Sequence, residues 1–266
     1  MVHLFRKHTK FLFLITRFML IECKSNNKIM NVFENSTVLI TGADGGIGSA
    51  ILIECIKRGA KKIYASGISI EKLEPLAKEF PDFVIPVELD VTSEESIKMA
   101  TGKCIDVNIL INNAGVELKS SFIGENVARK ALFEMKVNYI GVLDLTNSFL
   151  DVLKSNSNSY IINILSVGSS AVVKRLSTYC ASKAATHIFT QTIREELQDQ
   201  NIKVIGVYPG YVNTDMSSDI NVKKVSPSEL AKCTCDSIEN GAIDIFPDEM
   251  SMEFYKNNPI KITYLN

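Results

Sequence analysis

From Thr37 onward, short apolar runs alternate with longer segments whose apolar residues recur at helical spacing, and this alternation constrains the fold more than any other feature of the chain. Thr37-Val-Leu-Ile-Thr41 reads as a short strand. It runs directly into Gly42-Ala-Asp-Gly-Gly46-Ile-Gly48, which opens a helix with apolar residues at Ile47, Ala50, Ile51, Ile53, Cys55 and Ile56 and a stop at Gly59. Glycines between a strand and a helix let the backbone bend sharply and approach a pyrophosphate, which the free N–H groups and dipole of the helix N-terminus then hold.

The pattern repeats. Strands are expected at 62–66, 83–89, 107–111, 160–165 and 203–208, with 242–246 as a seventh. Helices are expected from Ser69, irregular or kinked at Pro75; after a capping box formed by Thr92 and Glu95; over about 126–153; from Tyr179 to about Asp199; and from Ser226-Pro227-Ser-Glu229 to near Gly241. Strands and helices in alternation imply right-handed crossovers, and hence an α/β fold: a Rossmann-like doubly wound parallel sheet of six to seven strands flanked by helices. Ligands of such a sheet bind beyond the carboxyl ends of the strands. There the sequence places the glycine turn, Asp90, Asn112-Asn113-Ala114-Gly115, Ser166 and Pro209-Gly210.

Tyr179 and Lys183 stand four residues apart at the start of a helix, so both side chains can point into one cleft. A free tyrosine titrates at about 10, and a cation held beside it favours the phenolate. A serine delivered by a neighbouring strand can then hold an alcohol or carbonyl oxygen against the phenol.

In combination these motifs identify the chain as resembling the short-chain dehydrogenase/reductase family over about residues 36–246. Thr41-Gly42-Ala-Asp44-Gly-Gly46-Ile47-Gly48 matches the family's TGxxxGIG turn, which implies that it cradles a dinucleotide's diphosphate and adenosine ribose. Asp90-Val91 is similar to the segment that contacts adenine. Asn112-Asn113-Ala114-Gly115 matches NNAG. Asn138, Ser166, Tyr179 and Lys183 match the catalytic tetrad, and Pro209-Gly210-Tyr-Val212-Asn-Thr214 is similar to PGxVxT, which holds the nicotinamide carboxamide.

The resemblance implies hydride transfer between NAD(P)(H) and a small or medium carbonyl or alcohol, with Tyr179 as acid-base and Ser166 binding the reacting oxygen. Lys183 would lower the phenol pKa and bind the nicotinamide ribose, and the Asn138 carbonyl, in a locally distorted helix, would hold a water leading from Lys183 to solvent. It also implies a homodimer or homotetramer. NAD or NADP is left undecided. Ser66-Gly67-Ile-Ser69, where the ribose is distinguished, carries neither the carboxylate of an NAD site nor the arginine of an NADP site, while Asp44 disfavours a 2′-phosphate. The eleven residues between Thr214 and Ser226 make a short substrate lid and an open pocket, and the tail around Asp248-Glu-Met250 is placed either over the cleft or in an oligomer contact.

Three alternatives from the residues are a non-catalytic NAD(P)-binding sensor, a serine hydrolase and a methyltransferase. The hydrolase lacks a GxSxG elbow and any histidine after His187, and the methyltransferase has no need of Tyr179 and Lys183. His187 is expected to be a packed or solvated side chain. A net charge of -1 gives no reason for nucleic acid as a partner. Among six scattered cysteines only Cys233-Thr-Cys235 forms a close pair, so no metal site is expected and reduced thiols in the cytoplasm are. Residues 1–33 are expected to be an extension outside the fold, with Met30 a natural beginning and 34–266 a single domain. The apolar stretch 11–23 carries Arg17 and falls short of the roughly 20 residues of a membrane span, leaving a weak membrane-surface helix as the second reading.

Overall fold

The structure, a computed structural model, describes residues 30–259. In chain order the elements are β1 (Thr37–Thr41), α1 (Gly46–Lys57), β2 (Lys62–Gly67), α2 (Ile70–Glu79), β3 (Val84–Glu88), α3 (Glu94–Lys103), β4 (Ile109–Asn112) and α4 (Val127–Met135). There follow a π-helical turn (Lys136–Ile140), α5 (Gly141–Ser148), α6 (Leu150–Lys154), β5 (Ser159–Ile164), α7 (Ser177–Glu196), β6 (Ile202–Val207), α8 (Pro227–Glu239), β7 (Asp244–Ile245) and α9 (Glu249–Asn257). The seven strands form one parallel sheet in the order β3-β2-β1-β4-β5-β6-β7. The chain winds outward from β1 to β3 and then crosses back to lay β4 on the other side of β1, which puts the topological switch point between β1 and β4.

Both faces of the sheet are covered, so the central strands read as unbroken apolar runs rather than alternating ones. Alternation still decides which core each side chain enters. Val38, Ile40, Ile109, Ile111, Ile162 and Ile205 pack on one side with α1 and α8, while Leu39, Leu110, Ile161 and Val204 pack on the other with α3, α5 and α7. Full burial of each such aliphatic side chain contributes about 1.5–3 kcal/mol. Arg58, at the end of α1, pairs with Glu54, Asp236 and Glu239 and ties α1 to α8.

Several local expectations are corrected. Residues 30–33 belong to the fold: Phe33 is fully buried, Val32 lies in the core, and the Met30 amide donates to the Glu239 carbonyl at 3.0 Å. The apolar run at 11–23 lies outside the described residues. α2 runs continuously through Pro75, whose missing N–H is offset by burial of Leu73 and packing of Leu76 and Ala77 against the core. The cap of α3 is Ser93, which accepts from the Ser96 amide; Thr92 instead donates its hydroxyl to Asp90 at 2.8 Å. The helix expected over 126–153 carries the local distortion expected at Asn138, as a π turn, and is interrupted again at the buried Phe149. The capping box at Ser226 and Glu229 forms as expected. Among the described residues no helix is long and apolar enough to cross a membrane.

Candidate active site

The glycine turn and α1 leave a helix N-terminus open. α1 has neither a side-chain cap nor an acidic residue in its first turn, so its first N–H groups are free for an anionic ligand. The turn tolerates only glycine at two positions. Gly42 has φ +61°, and a Cβ on Gly48 would press into the Gly42 carbonyl oxygen and lie 2.9 Å from Ala43 Cα. Thr41 anchors the neighbouring loop, its hydroxyl accepting from the amides of Asn113 and Ala114 at 2.9 Å each. The Asn113 side chain donates back to the carbonyls of Thr41 and Gly42 at 2.8 and 3.0 Å. A dinucleotide's diphosphate therefore fits this cradle by both shape and donors.

β5 delivers Ser166, which caps a short turn and accepts from the Gly168 amide at 3.0 Å. Gly168 packs beside both the Ser166 hydroxyl and the Tyr179 ring: a Cβ there would sit 3.3 Å from Ser166 Oγ and 3.6 Å from Tyr179 Cε1. One helical turn beyond Tyr179, the Lys183 ammonium donates to the Ile164 carbonyl at 2.9 Å and lies 5.9 Å from the Tyr179 ring centre. Gly115 allows this approach, since a Cβ on it would meet Asn138 Oδ1 at 3.3 Å and Lys183 Nζ at 3.5 Å.

Asn138 sits in the π turn and is fully buried. Its side chain clamps the loop after β4, accepting from the Val116 amide at 2.8 Å and donating to the Val116 carbonyl and to Ser182 Oγ at 2.9 Å each. Its backbone carbonyl, expected to face a water, accepts from the Thr186 hydroxyl at 2.7 Å. π turns inside α-helices occur frequently at functional sites.

Burial governs the electrostatics. It pushes the Tyr179 phenol well above its ordinary range; Ser166 acts to lower it, and the charge on Glu117 raises it further. Burial lowers Lys183 to about 8.

One cavity of about 170 Å³ gathers Ile47, Asn113, Gly115, Ser166, Tyr179, Lys183, Pro209, Gly210, Val212 and Thr214. Asp90 and Val91 stand away from this cavity: Asp90 accepts from the Thr92 amide, and Val91 packs against Gly141. Ser66 is fully buried and donates to the Ile40 carbonyl, so its hydroxyl is not presented to a ligand. The Asp44 carboxylate reaches the end of β2, with Oδ1 2.9 Å from where a Cβ on Gly67 would stand. His187 is packed, with Nδ1 2.8 Å from the Tyr208 hydroxyl. No group of three possible metal ligands occurs among the described residues.

The sequence reading missed Glu117 and Phe254; Met216 and Ile220, which complete an apolar wall with Phe254, come from the lid segment expected between Thr214 and Ser226. Of the two placements open to the tail, it takes the one over the cleft: Met250 joins that wall. Asp248 caps α9 while accepting from the Gly210 amide at 2.8 Å, fixing α9 to the Pro209-Gly210 turn. Glu117 lies two residues past NNAG, the one signal that pointed to it.

The short chain dehydrogenase family model matches residues 36–225. An uncharacterized oxidoreductase of Staphylococcus aureus is 33% identical over 211 residues, which cover 76% of this chain and 90% of that protein. An NADP-dependent 3-hydroxy acid dehydrogenase of Schizosaccharomyces pombe is 30% identical over 196 residues, 71% of this chain and 76% of the relative. In structure, a short chain dehydrogenase from Burkholderia cenocepacia in complex with NADP superposes with a TM-score of 0.80 at 32% identity, covering 85% of this chain and 93% of the other. With the parallel sheet, the glycine cradle and the Ser166–Tyr179–Lys183 cleft in place, this chain belongs to the short chain dehydrogenase family.

Proposed function

We propose that the protein is an NAD(P)-dependent oxidoreductase acting on a small or medium carbonyl or alcohol. The observation that carries this reading is the convergence of Ser166, Tyr179 and Lys183 on one cavity that opens beside the unoccupied donors of α1. A nicotinamide dinucleotide bound there supplies or accepts the hydride. Gly42, Gly46, Gly48 and the first amides of α1 hold its diphosphate, and Ile47, Pro209, Gly210, Val212 and Thr214 flank the ring. Asn113, Ala114 and Gly115 line the adenosine side, with Asp90 and Val91 towards adenine.

Tyr179 gives a proton to the substrate oxygen in reduction and takes it in oxidation. Ser166 donates a hydrogen bond to that oxygen as charge develops on it. Lys183, held charged below pH of about 8, would steady the phenolate and hold the nicotinamide ribose hydroxyls when the cofactor is bound. Asn138 positions the loop carrying Gly115 and, through the second lone pair of its carbonyl, accepts a water behind Lys183. Asp44, beside the end of β2, favours a ribose 2′-hydroxyl over a 2′-phosphate. Exposed apolar side chains on α4 and α7, including Leu132, Phe133 and Ile188, support assembly into a homodimer or homotetramer.

The other reading is a protein that binds NAD(P)H without turnover, against which the joint presence of Ser166, Tyr179 and Lys183 in one cavity counts. Titration with NADH and NADPH followed by nicotinamide fluorescence, then addition of a carbonyl panel, separates the two. Saturable binding followed by loss of the reduced-nicotinamide signal is the expected result; binding with no loss on any carbonyl supports the sensor.

A further inference from the structure

The cleft holds one acceptor that neither the fold nor the proposed reaction uses. Glu117 lines the same cavity as Ser166 and Tyr179, and it is the only carboxylate among the described residues that do so. Its Oε1 is buried and has no hydrogen-bond partner. Of the cavity's other polar lining, Asn113 is engaged with the glycine turn, Lys183 with Ile164 and Ser217 with the Val212 carbonyl, while Tyr211 and Thr214 keep hydroxyls that are not buried acceptors lacking a partner. The remaining wall is apolar, including Val167, Val173, Leu176, Met216 and Phe254. An acceptor left unmade in such a setting costs about 1–3 kcal/mol, more when ionised; burial raises the Glu117 carboxyl towards protonation, and a donor arriving from outside the protein relieves the cost while keeping it an acceptor.

Taking the proposed oxidoreductase reading as its basis, we propose that Glu117 determines substrate choice: the cleft takes a carbonyl or alcohol whose apolar body carries a hydrogen-bond donor, a hydroxyl or a protonated amine, that reaches Glu117, and it rejects substrates bearing a carboxylate. A site built to bond a substrate donor discriminates strongly against the analogue lacking it. Two further observations agree. Burial raises the Glu117 carboxyl above its ordinary range; Lys119 opposes this, while Asp219 and the buried Glu134, whose Oε1 accepts from the Leu118 amide, add like charge that disfavours an anion there. The charge of Glu117 also opposes ionisation of Tyr179, so a donor seated on Glu117 eases proton release from the phenol.

The test uses the full chain and matched 2-butanones substituted at C4 with methyl, hydroxyl, ammonium or carboxylate, together with a longer series in which the group is displaced by two carbons. kcat/KM is measured for the natural protein, Glu117→Gln and Glu117→Ala, and NADH and NADPH titrations confirm that each variant keeps its cofactor site. In one series the hydroxyl or ammonium ketone should exceed the methyl ketone by about tenfold or more, with the carboxylate lowest. Glu117→Ala should flatten the series. Glu117→Gln should keep the hydroxyl preference, lose the ammonium one and raise the carboxylate by about tenfold. A series with the same ratios in all three proteins, or one led by the carboxylate, overturns the role of Glu117 while Tyr179-dependent turnover leaves the oxidoreductase reading standing. No turnover of any ketone with NADH or NADPH bound overturns both.

Discussion

The Asn138 side chain grips both polar groups of the Val116 peptide backbone, accepting from its amide at 2.8 Å and donating to its carbonyl at 2.9 Å. This pair sets the path of the chain between Gly115 and Glu117, and therefore the wall against which Lys183 packs. Asn138→Ala leaves the part-buried Val116 amide and carbonyl without this partner and takes one of two bonds from Ser182 Oγ, which still donates to the Tyr179 carbonyl, so a loss of about 2–3 kcal/mol is expected. Urea unfolding checks the stability, and turnover should fall along with it. Asn138→Asp retains an acceptor for the amide but no donor for the carbonyl and should be intermediate only below the carboxylate's pKa.

Gly48→Ala tests the cradle. The added methyl meets the Gly42 carbonyl oxygen and stands 2.8 Å from Asn113 Nδ2. Relief requires the turn to open, at a cost of about 1–3 kcal/mol. The expected outcome is weaker NADH and NADPH binding in fluorescence titration, with far-UV circular dichroism retained.

Much of this arrangement was legible because it rests on local chemistry. Buried parallel strands need apolar runs, a close backbone approach needs glycine at Gly42 and Gly48, and a four-residue step aligns Tyr179 with Lys183. What escaped the sequence depends on contacts distant along the chain. Met250 and Phe254 reach the cleft because Asp248 bonds Gly210, 38 residues away. The second break of the helix expected over 126–153 follows from Phe149, whose ring is fully buried among residues of α3, β5 and α7. The cap of α3 fell one residue from its expected place because Thr92 had a nearer partner in Asp90.

Lys183 carries a pH signature. Its folded pKa is depressed from 10.5 to about 8, so the unfolded chain binds more protons between those values. The cost of burying the charge is fully present below pH 8 and shrinks as pH rises towards 10.5. Lys183→Met removes that cost and also orphans the Ile164 carbonyl, a loss that does not vary with pH. The stability difference between Lys183→Met and the natural protein should therefore move by about 2 kcal/mol in favour of the natural protein from pH 7 to pH 10. Unfolding free energies at the two pH values check this; turnover by the variant should be lost at both.

Asp44 leans over Gly67 at the end of β2, where a dinucleotide's ribose 2′ position is read. Asp44→Asn removes a like charge from the path of a 2′-phosphate. The ratio of NADPH to NADH affinity should rise about tenfold, equivalent to about 1.4 kcal/mol, in parallel fluorescence titrations.

The central claim is that the Tyr179 phenol moves the proton in a hydride transfer carried out at this cleft. The direct measurement is the rate of NADH or NADPH oxidation by an accepted ketone for the natural protein and for Tyr179→Phe, with cofactor affinity determined on the same samples. Cofactor affinity should be unchanged within about twofold while kcat falls by about 10²- to 10⁴-fold. Turnover undiminished in Tyr179→Phe, with cofactor still bound, would contradict the account.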